Sequence, residues 1–251
     1  MSKFEKLQEI VKKLRAPDGC DWDKEQTHES LTPYLLEEVY EVIEAIENKD
    51  FNLLKEELGD LLLHVIFQAD LAEENNKFNI QDSLDSINNK LISRHPHIFK
   101  SKNDQSWGKG NWELQKQKEK KRDSILDGVP ASLPALLKAR RIQEKASGVG
   151  FDWNNVDRVI EKVDEEITEL KEAIVNNDGI EEELGDVLFT IVNVSRHLNI
   201  NPEQSLKKSI NKFIGRFKLI EKDLKSKKIN MKDLSLDELD IIWEKNKNNY
   251  K

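Results

Sequence analysis

Cysteine occurs once in the 251 residues, as Cys20. A single thiol excludes an intrachain disulfide and a four-cysteine zinc site. Glycine (10) and proline (6) are scarce, and aromatic residues make up only 7%. With charge dense and breakers so few, amphipathic helices are the expected building material. No apolar run approaches the roughly 20 residues of a membrane-spanning helix; the longest cover a few positions, as at Leu61–Leu63. The opening stretch MSKFEKLQEIVKKL has no apolar signal core, so a cytoplasmic location is expected. Phosphate-binding P-loops, GxGxxG fingerprints and GxSxG elbows are absent. The formal net charge of −8 disfavours a nucleic-acid backbone as partner. Neither nucleic acid nor membrane is therefore expected as a partner.

What is present is charge: 35% of residues are Asp, Glu, Lys or Arg, against 37% hydrophobic. The modest hydrophobic share suits thin helical bundles or a dimer interface better than one thick core. Apolar residues fall at helical spacing along most of the chain. Thr32-Pro33 reads as an N-cap and first helical residue, opening a stripe of Leu35, Leu36, Val39, Val42, Ile43 and Ile46. Asn48-Lys49-Asp50 interrupts it, and Leu54, Leu58, Leu61, Leu62, Val65, Ile66 and Ala69 form the next stripe. A third helix is expected over Ile80 to Arg94, then a loop over 95–110 and a short helix near Trp112 to Arg122. Asp123 to Pro134 reads as linker, from its Asp127-Gly128, Pro130 and Pro134.

After the linker the pattern restarts. EEVYE (37–41) matches EEITE (165–169), and EELGD appears identically at 56–60 and 182–186. Lys90 and Arg94 are four apart, as are Lys212 and Arg216; so are Trp112 and Lys116, and Trp243 and Lys247. CDWD (20–23) echoes FDWN (151–154). Order and spacing agree, except that Arg94 to Trp112 is 18 positions and Arg216 to Trp243 is 27. This is one unit written twice. The expected divisions are a first unit over 1–124, a linker over 125–134 and a second unit over 135–251.

In the second copy Glu166 and Glu169 are three apart on one helix face, and Glu183 and Asp186 are three apart on the next helix. The breaker Asn176-Asn177-Asp178-Gly179 lets those helices run antiparallel, so four carboxylates converge. Like charges that close repel and drive protonation unless a cation intervenes. Mg²⁺ is the natural one, because it takes oxygen ligands and keeps waters for a phosphate-bearing substrate. One acid quartet is unremarkable among 48 acidic residues; two, each followed by Lys-x3-Arg and Trp-x3-Lys, are not. Glu38, Glu41, Glu57 and Asp60 form the first copy's quartet, with Lys90, Arg94, Trp112 and Lys116 behind it. A mid-helix glycine costs about 1 kcal/mol relative to alanine. Gly59 and Gly185 recur in both copies, where close approach of a helix or a phosphate would explain them. Lys212 and Arg216 suit phosphate oxygens, Arg bidentately; Trp243 suits a wall against a nucleotide, with Lys247 on phosphate. His64, in an apolar run, reads as a core histidine, and Trp22 and Trp153 as loop anchors.

These motifs, EEITE with EELGD, NKFIGR and WEKNK, with EEVYE, EELGD, NKLISR and WELQK in the first half, resemble the MazG family of all-α nucleoside triphosphate pyrophosphohydrolases over nearly the whole chain. The resemblance implies an all-α tandem repeat with a four-helix-bundle-like core completed by homodimerisation. It implies Mg²⁺-dependent cleavage of NTPs and dNTPs between the α and β phosphates, with broad base tolerance; Mn²⁺ is a possible substitute. It also implies that the C-terminal unit is catalytic, with Glu166, Glu169, Glu183 and Asp186 on the metal and Lys212, Arg216, Trp243 and Lys247 around the triphosphate. The first unit's eight counterparts are then a possible second site. Two other readings use the same residues: a narrower house-cleaning enzyme for dUTP-like nucleotides, and a non-catalytic nucleotide sensor. The preferred base and any regulatory protein partner are not encoded in these motifs.

Overall fold

The computed structural model describes residues 1–99, 117, 119, 120 and 122–247, without the side chains of His97 and Lys247. Among the described residues all regular structure is helical. The chain divides into two compact units, Met1–Gln105 and Ser106–Lys251.

The first unit contains α1 (Lys3–Arg15), α2 (Asp21–Glu25), α3 (Thr32–Asn48), α4 (Phe51–Glu74), α5 (Ile80–Arg94) and α6 (Pro96–Phe99). Its centre is the α3–α4 pair, with α1 laid on α4. Lys49 closes α3 in the left-handed region at φ 56°, its N–H returning to the Ala45 and Ile46 carbonyls. The Asp50 carboxylate then accepts from the Asn52 and Leu53 N–H groups to start α4. So short a turn sends α4 back along α3. Val11, Leu31, Ile66, Phe67 and Leu71 form the core, lined by Phe4, Leu7 and Leu63. α5 begins and ends where its apolar spacing places it. Two expectations need correction. Thr32 is already helical and makes no cap acceptor; Leu31 is the cap residue, and the Thr32 hydroxyl donates to the His28 carbonyl. Residues 96–99, read as loop, form a short helix, because proline is well suited to a first helical turn.

The second unit contains α7 (Ala135–Gly148), α8 (Val156–Asn176), α9 (Ile180–His197), α10 (Pro202–Lys227), a 3₁₀ turn (Met231–Asp233) and α11 (Leu236–Lys247). α8 and α9 form the matching hairpin; α7 packs on α9, and α10 packs on α7 and α11. Asn177 takes the left-handed cap at φ 53° and Gly179, at φ 69°, precedes α9, so this turn repeats the geometry at Lys49. Asn201 caps α10 by accepting from the Gln204 N–H, with Pro202 as its first residue. The expected helix near Trp112 to Arg122 falls largely outside the described residues; Gln117 and Glu119 are helical.

Each unit ties its second hairpin helix to the segment before the hairpin by a charge pair, buried in the first unit and partly exposed in the second, and the two pairs have opposite polarity. In the first unit the Arg15 guanidinium of α1 lies 3.2 Å from Asp70 of α4 and 2.5 Å from Glu74, with Arg15 and Asp70 side chains 5% and 9% exposed. It also donates to the Asp23 carbonyl at 2.6 Å and lies 5.0 Å over the Phe67 ring. In the second unit the negative charge precedes the hairpin. Asp152 accepts from Arg196 of α9 at 2.5 and 2.9 Å and from the Ser147 hydroxyl at 2.6 Å, with the His197 ring at 3.1 Å. Burial works to raise the Asp152 carboxyl, but Arg196 and the surrounding donors hold it well below the ordinary range.

Candidate active site

The hairpins deliver the acidic residues as their spacing predicts. In the second unit, oxygens of Glu166, Glu183 and Asp186 lie within 4.8 Å of one another. Glu169 stands outside that close trio but near enough for its charge to act on Glu183. Partial burial, then the charges of Glu169, Asp186 and Glu166, push the Glu183 carboxyl above its ordinary value. In the first unit the close trio is Glu38, Glu41 and Glu57, with Asp60 acting from just outside. Burial and the neighbouring charges raise both Glu38 and Glu57, Asp60 being the largest charge on the former and Glu41 on the latter. Both copies thus gather four mutually repelling carboxylates, which is the condition a divalent cation relieves. The oxygen-only donor sets fit a hard cation such as Mg²⁺.

Lys162 was not singled out by sequence. It sits one turn before Glu166 on α8, its ammonium 2.9 Å from Glu166 and 2.7 Å from Glu165. Hydrogen bonds to those two carboxylates raise the pKa of this lysine. The i,i+4 spacing was the available signal, hidden among many Lys–Glu spacings in a highly charged chain. By the alignment of EEITE with EEVYE the first unit has Tyr34 there, so no lysine stands one turn before Glu38 as Lys162 stands before Glu166.

The cationic sets differ between units. Lys212 is exposed on α10, and Arg216 is half-buried with its Nε buried and without a hydrogen-bond partner. Its guanidinium lies 5.8 Å from the Trp243 ring centroid, so α10 and α11 bring these two residues together. Among the described residues neither Lys212 nor Arg216 forms an ion pair with the quartet. In the first unit Arg94 is buried, at 5% exposure, and Lys90 is half-buried. Trp112 and Lys116 lie outside the described residues, and α11 carries Lys247 at its end without a described side chain.

A Cβ at Gly59 or Gly185 would meet nothing within 4 Å. Among the described residues, approach of another helix therefore does not explain either glycine. Among the described residues no helix is long and apolar enough to cross a membrane. His64 is buried in α4, as the apolar run suggested, and burial lowers its pKa.

Comparison with known proteins places this geometry in context. The family profile "MazG nucleotide pyrophosphohydrolase domain" matches residues 26–99 and 155–220, so it covers both hairpins. The chain is 48% identical over 244 residues to the nucleoside triphosphate pyrophosphohydrolase/pyrophosphatase MazG of Thermotoga maritima, covering 97% of this chain and 95% of that one. It is 41% identical over 254 residues to the nucleoside triphosphate pyrophosphohydrolase of Escherichia coli K12, covering 97% of each. A Bacillus subtilis protein, YabN, is 41% identical over 251 residues that make up 51% of its own length.

Proposed function

Because the chain belongs to the MazG family of nucleoside triphosphate pyrophosphohydrolases, we propose that its second unit hydrolyses NTPs and dNTPs to nucleoside monophosphate and pyrophosphate, with Mg²⁺ held by Glu166, Glu169, Glu183 and Asp186. The observation that carries the proposal is the convergence of Glu166, Glu183 and Asp186 within 4.8 Å, where burial first and then the neighbouring acids raise the proton affinity of Glu183. Mn²⁺ satisfies the same oxygen donors.

In this reading water adds to the α phosphorus and the bond to the bridging α–β oxygen breaks, so pyrophosphate leaves. Bound Mg²⁺ would supply Lewis acidity and a template for phosphate oxygens and water. A quartet carboxylate not occupied by the ion takes the proton from water. Lys212, and Arg216 held against Trp243, meet the charge that grows on the departing pyrophosphate; Lys247 extends this set. Lys162 holds the Glu166 carboxylate in place at 2.9 Å. Recognition through phosphate and an aromatic surface is compatible with broad base specificity, since every base has a π-face.

The first unit, with the acids Glu38, Glu41, Glu57 and Asp60 and with Lys90, Arg94, Trp112 and Lys116 behind them, is proposed as a second site, the main turnover belonging to the second unit. Its buried Arg94 is less accessible to a triphosphate than Arg216 is. We further propose a homodimer in the cytoplasm, because α4 and α9 each expose a matched apolar stripe: Leu58, Leu62 and Val65, and Leu184, Leu188 and Ile191. The proposed divisions are 1–124, a linker at 125–134, and 135–251.

The test is product analysis: ATP incubated with full-length protein and Mg²⁺ should give AMP and pyrophosphate. ADP plus phosphate, or no turnover for any nucleotide, would sink the proposal. A panel of NTPs and dNTPs ranked by kcat/KM separates broad specificity from a dUTP-type enzyme.

A further inference from the structure

The triphosphate-binding cations proposed above lie on the same turn of α10 as an exposed phenylalanine that nothing so far has used. Phe213 follows Lys212 directly and precedes Arg216 by three residues, so all three lie within about 6 Å of helix rise. Phe213 is 56% exposed. Its ring lies 5.2 Å from Trp243 at an interplanar angle of 41°, and 5.9 Å from Phe217 at 18°. Trp243 itself is half-buried, with Phe213 and the Arg216 guanidinium against its ring. The most accessible aromatic surface beside the phosphate-binding cations is therefore Phe213, and Trp243 and Phe217 act as its backing.

We propose that Phe213 is the platform on which the nucleotide base stacks. This rests on the reading that Lys212 and Arg216 hold the triphosphate. Stacking on an aromatic ring tolerates any base, and the cluster contributes no directional polar group from Phe213, Phe217 or Trp243's ring face to tell bases apart. At the matching positions the first unit differs: alignment of Lys90-x3-Arg94 with Lys212-x3-Arg216 sets Leu91 opposite Phe213 and His95 opposite Phe217. Leu91 is similarly exposed, at 45%, but has no π-face. The difference assigns nucleotide recognition to the second unit on grounds separate from the carboxylates.

The test is calorimetric titration of full-length protein with Mg²⁺, using α,β-methylene-ATP and inorganic tripolyphosphate as separate ligands. Phe213→Leu and Phe213→Ala should weaken α,β-methylene-ATP binding by roughly 10-fold or more, Phe213→Trp should preserve it, and tripolyphosphate affinity should not move. Light scattering on each variant should give the wild-type mass. Unchanged nucleotide affinity in Phe213→Ala would overturn the proposal. Equal loss for both ligands would show Phe213 to be only a support for Trp243 and Arg216, and a changed mass would show it to be a contact between chains; either overturns it too. Wild-type protein that binds neither ligand would remove the phosphate reading itself, and the platform with it.

Discussion

Glu183 is partly withdrawn from water and four other carboxylates bear on it, and that setting has a measurable consequence. Its folded pKa is raised above the ordinary 4.5. In the ion-free protein its contribution to stability is complete below about pH 4.5 and is lost as the pH rises through the raised folded value. Cation binding requires the deprotonated form. Mg²⁺ is therefore expected to raise Tm more at about pH 7.5 than at about pH 5; an equal shift at both, by calorimetry, would count against ion binding at these acids. Glu169→Ala and Asp186→Ala should each lower kcat/KM for ATP by about 100-fold or more, while Glu41→Ala changes it little. Equal losses in steady-state assays would overturn the assignment to the second unit. Gly185 separates stability from function. With open space around its Cβ position, Gly185→Ala should stabilise the helix by about 0.5–1 kcal/mol in urea unfolding. A phosphate approaching that backbone would make the same variant slower, so a more stable but less active enzyme is the expected result.

Helix boundaries were legible where a breaker has a local mechanism. The breaks at Lys49 and Asn177 are flanked by Asn, Asp and Gly, and each becomes a left-handed cap that folds a hairpin. Three-residue spacing then places both acid pairs without knowledge of tertiary structure. The Thr32 cap failed because the preceding turn from Thr27 continues into the helix, and its hydroxyl bonds backward to His28. The Arg15–Asp70 and Asp152–Arg196 ties were not legible, because they join residues dozens of positions apart and each member sits among many equivalent charges. They carry their own prediction. Desolvation outweighs Arg15 at Asp70, whose pKa is raised despite that neighbour, so the pair fixes geometry more than it adds stability. Arg15→Met should cost about 3 kcal/mol by leaving Asp70 buried and unpaired, whereas Arg15→Met with Asp70→Leu should recover most of that loss. Urea unfolding of the two variants decides it, and equal destabilisation would refute the account.

For the whole molecule, the repeat announced two units and the structure contains them, each organised around its own hairpin. Sequence identified the quartets as pairs of pairs. It did not reveal that the close trio draws both α3 glutamates in one unit and both α9 acids in the other, because that depends on rotamers and on Lys162. The exposed stripes on α4 and α9 predict that light scattering will give twice the chain mass, and that Leu188→Asp will shift the protein toward monomer and reduce turnover. Wild-type protein that remains monomeric at assay concentration would exclude the dimer.

Duplication gives a chain two near-identical hairpins, and a newborn polypeptide must not confuse them. The inverted polarity of the two charge ties provides a distinction. If the leading segment of one repeat were to settle on the hairpin of the other, Arg15 would meet Arg196, or Asp152 would meet Asp70, like charge against like. Such a crossed arrangement would set like charges against each other, and the native pairing of each leading segment with its own hairpin avoids that cost.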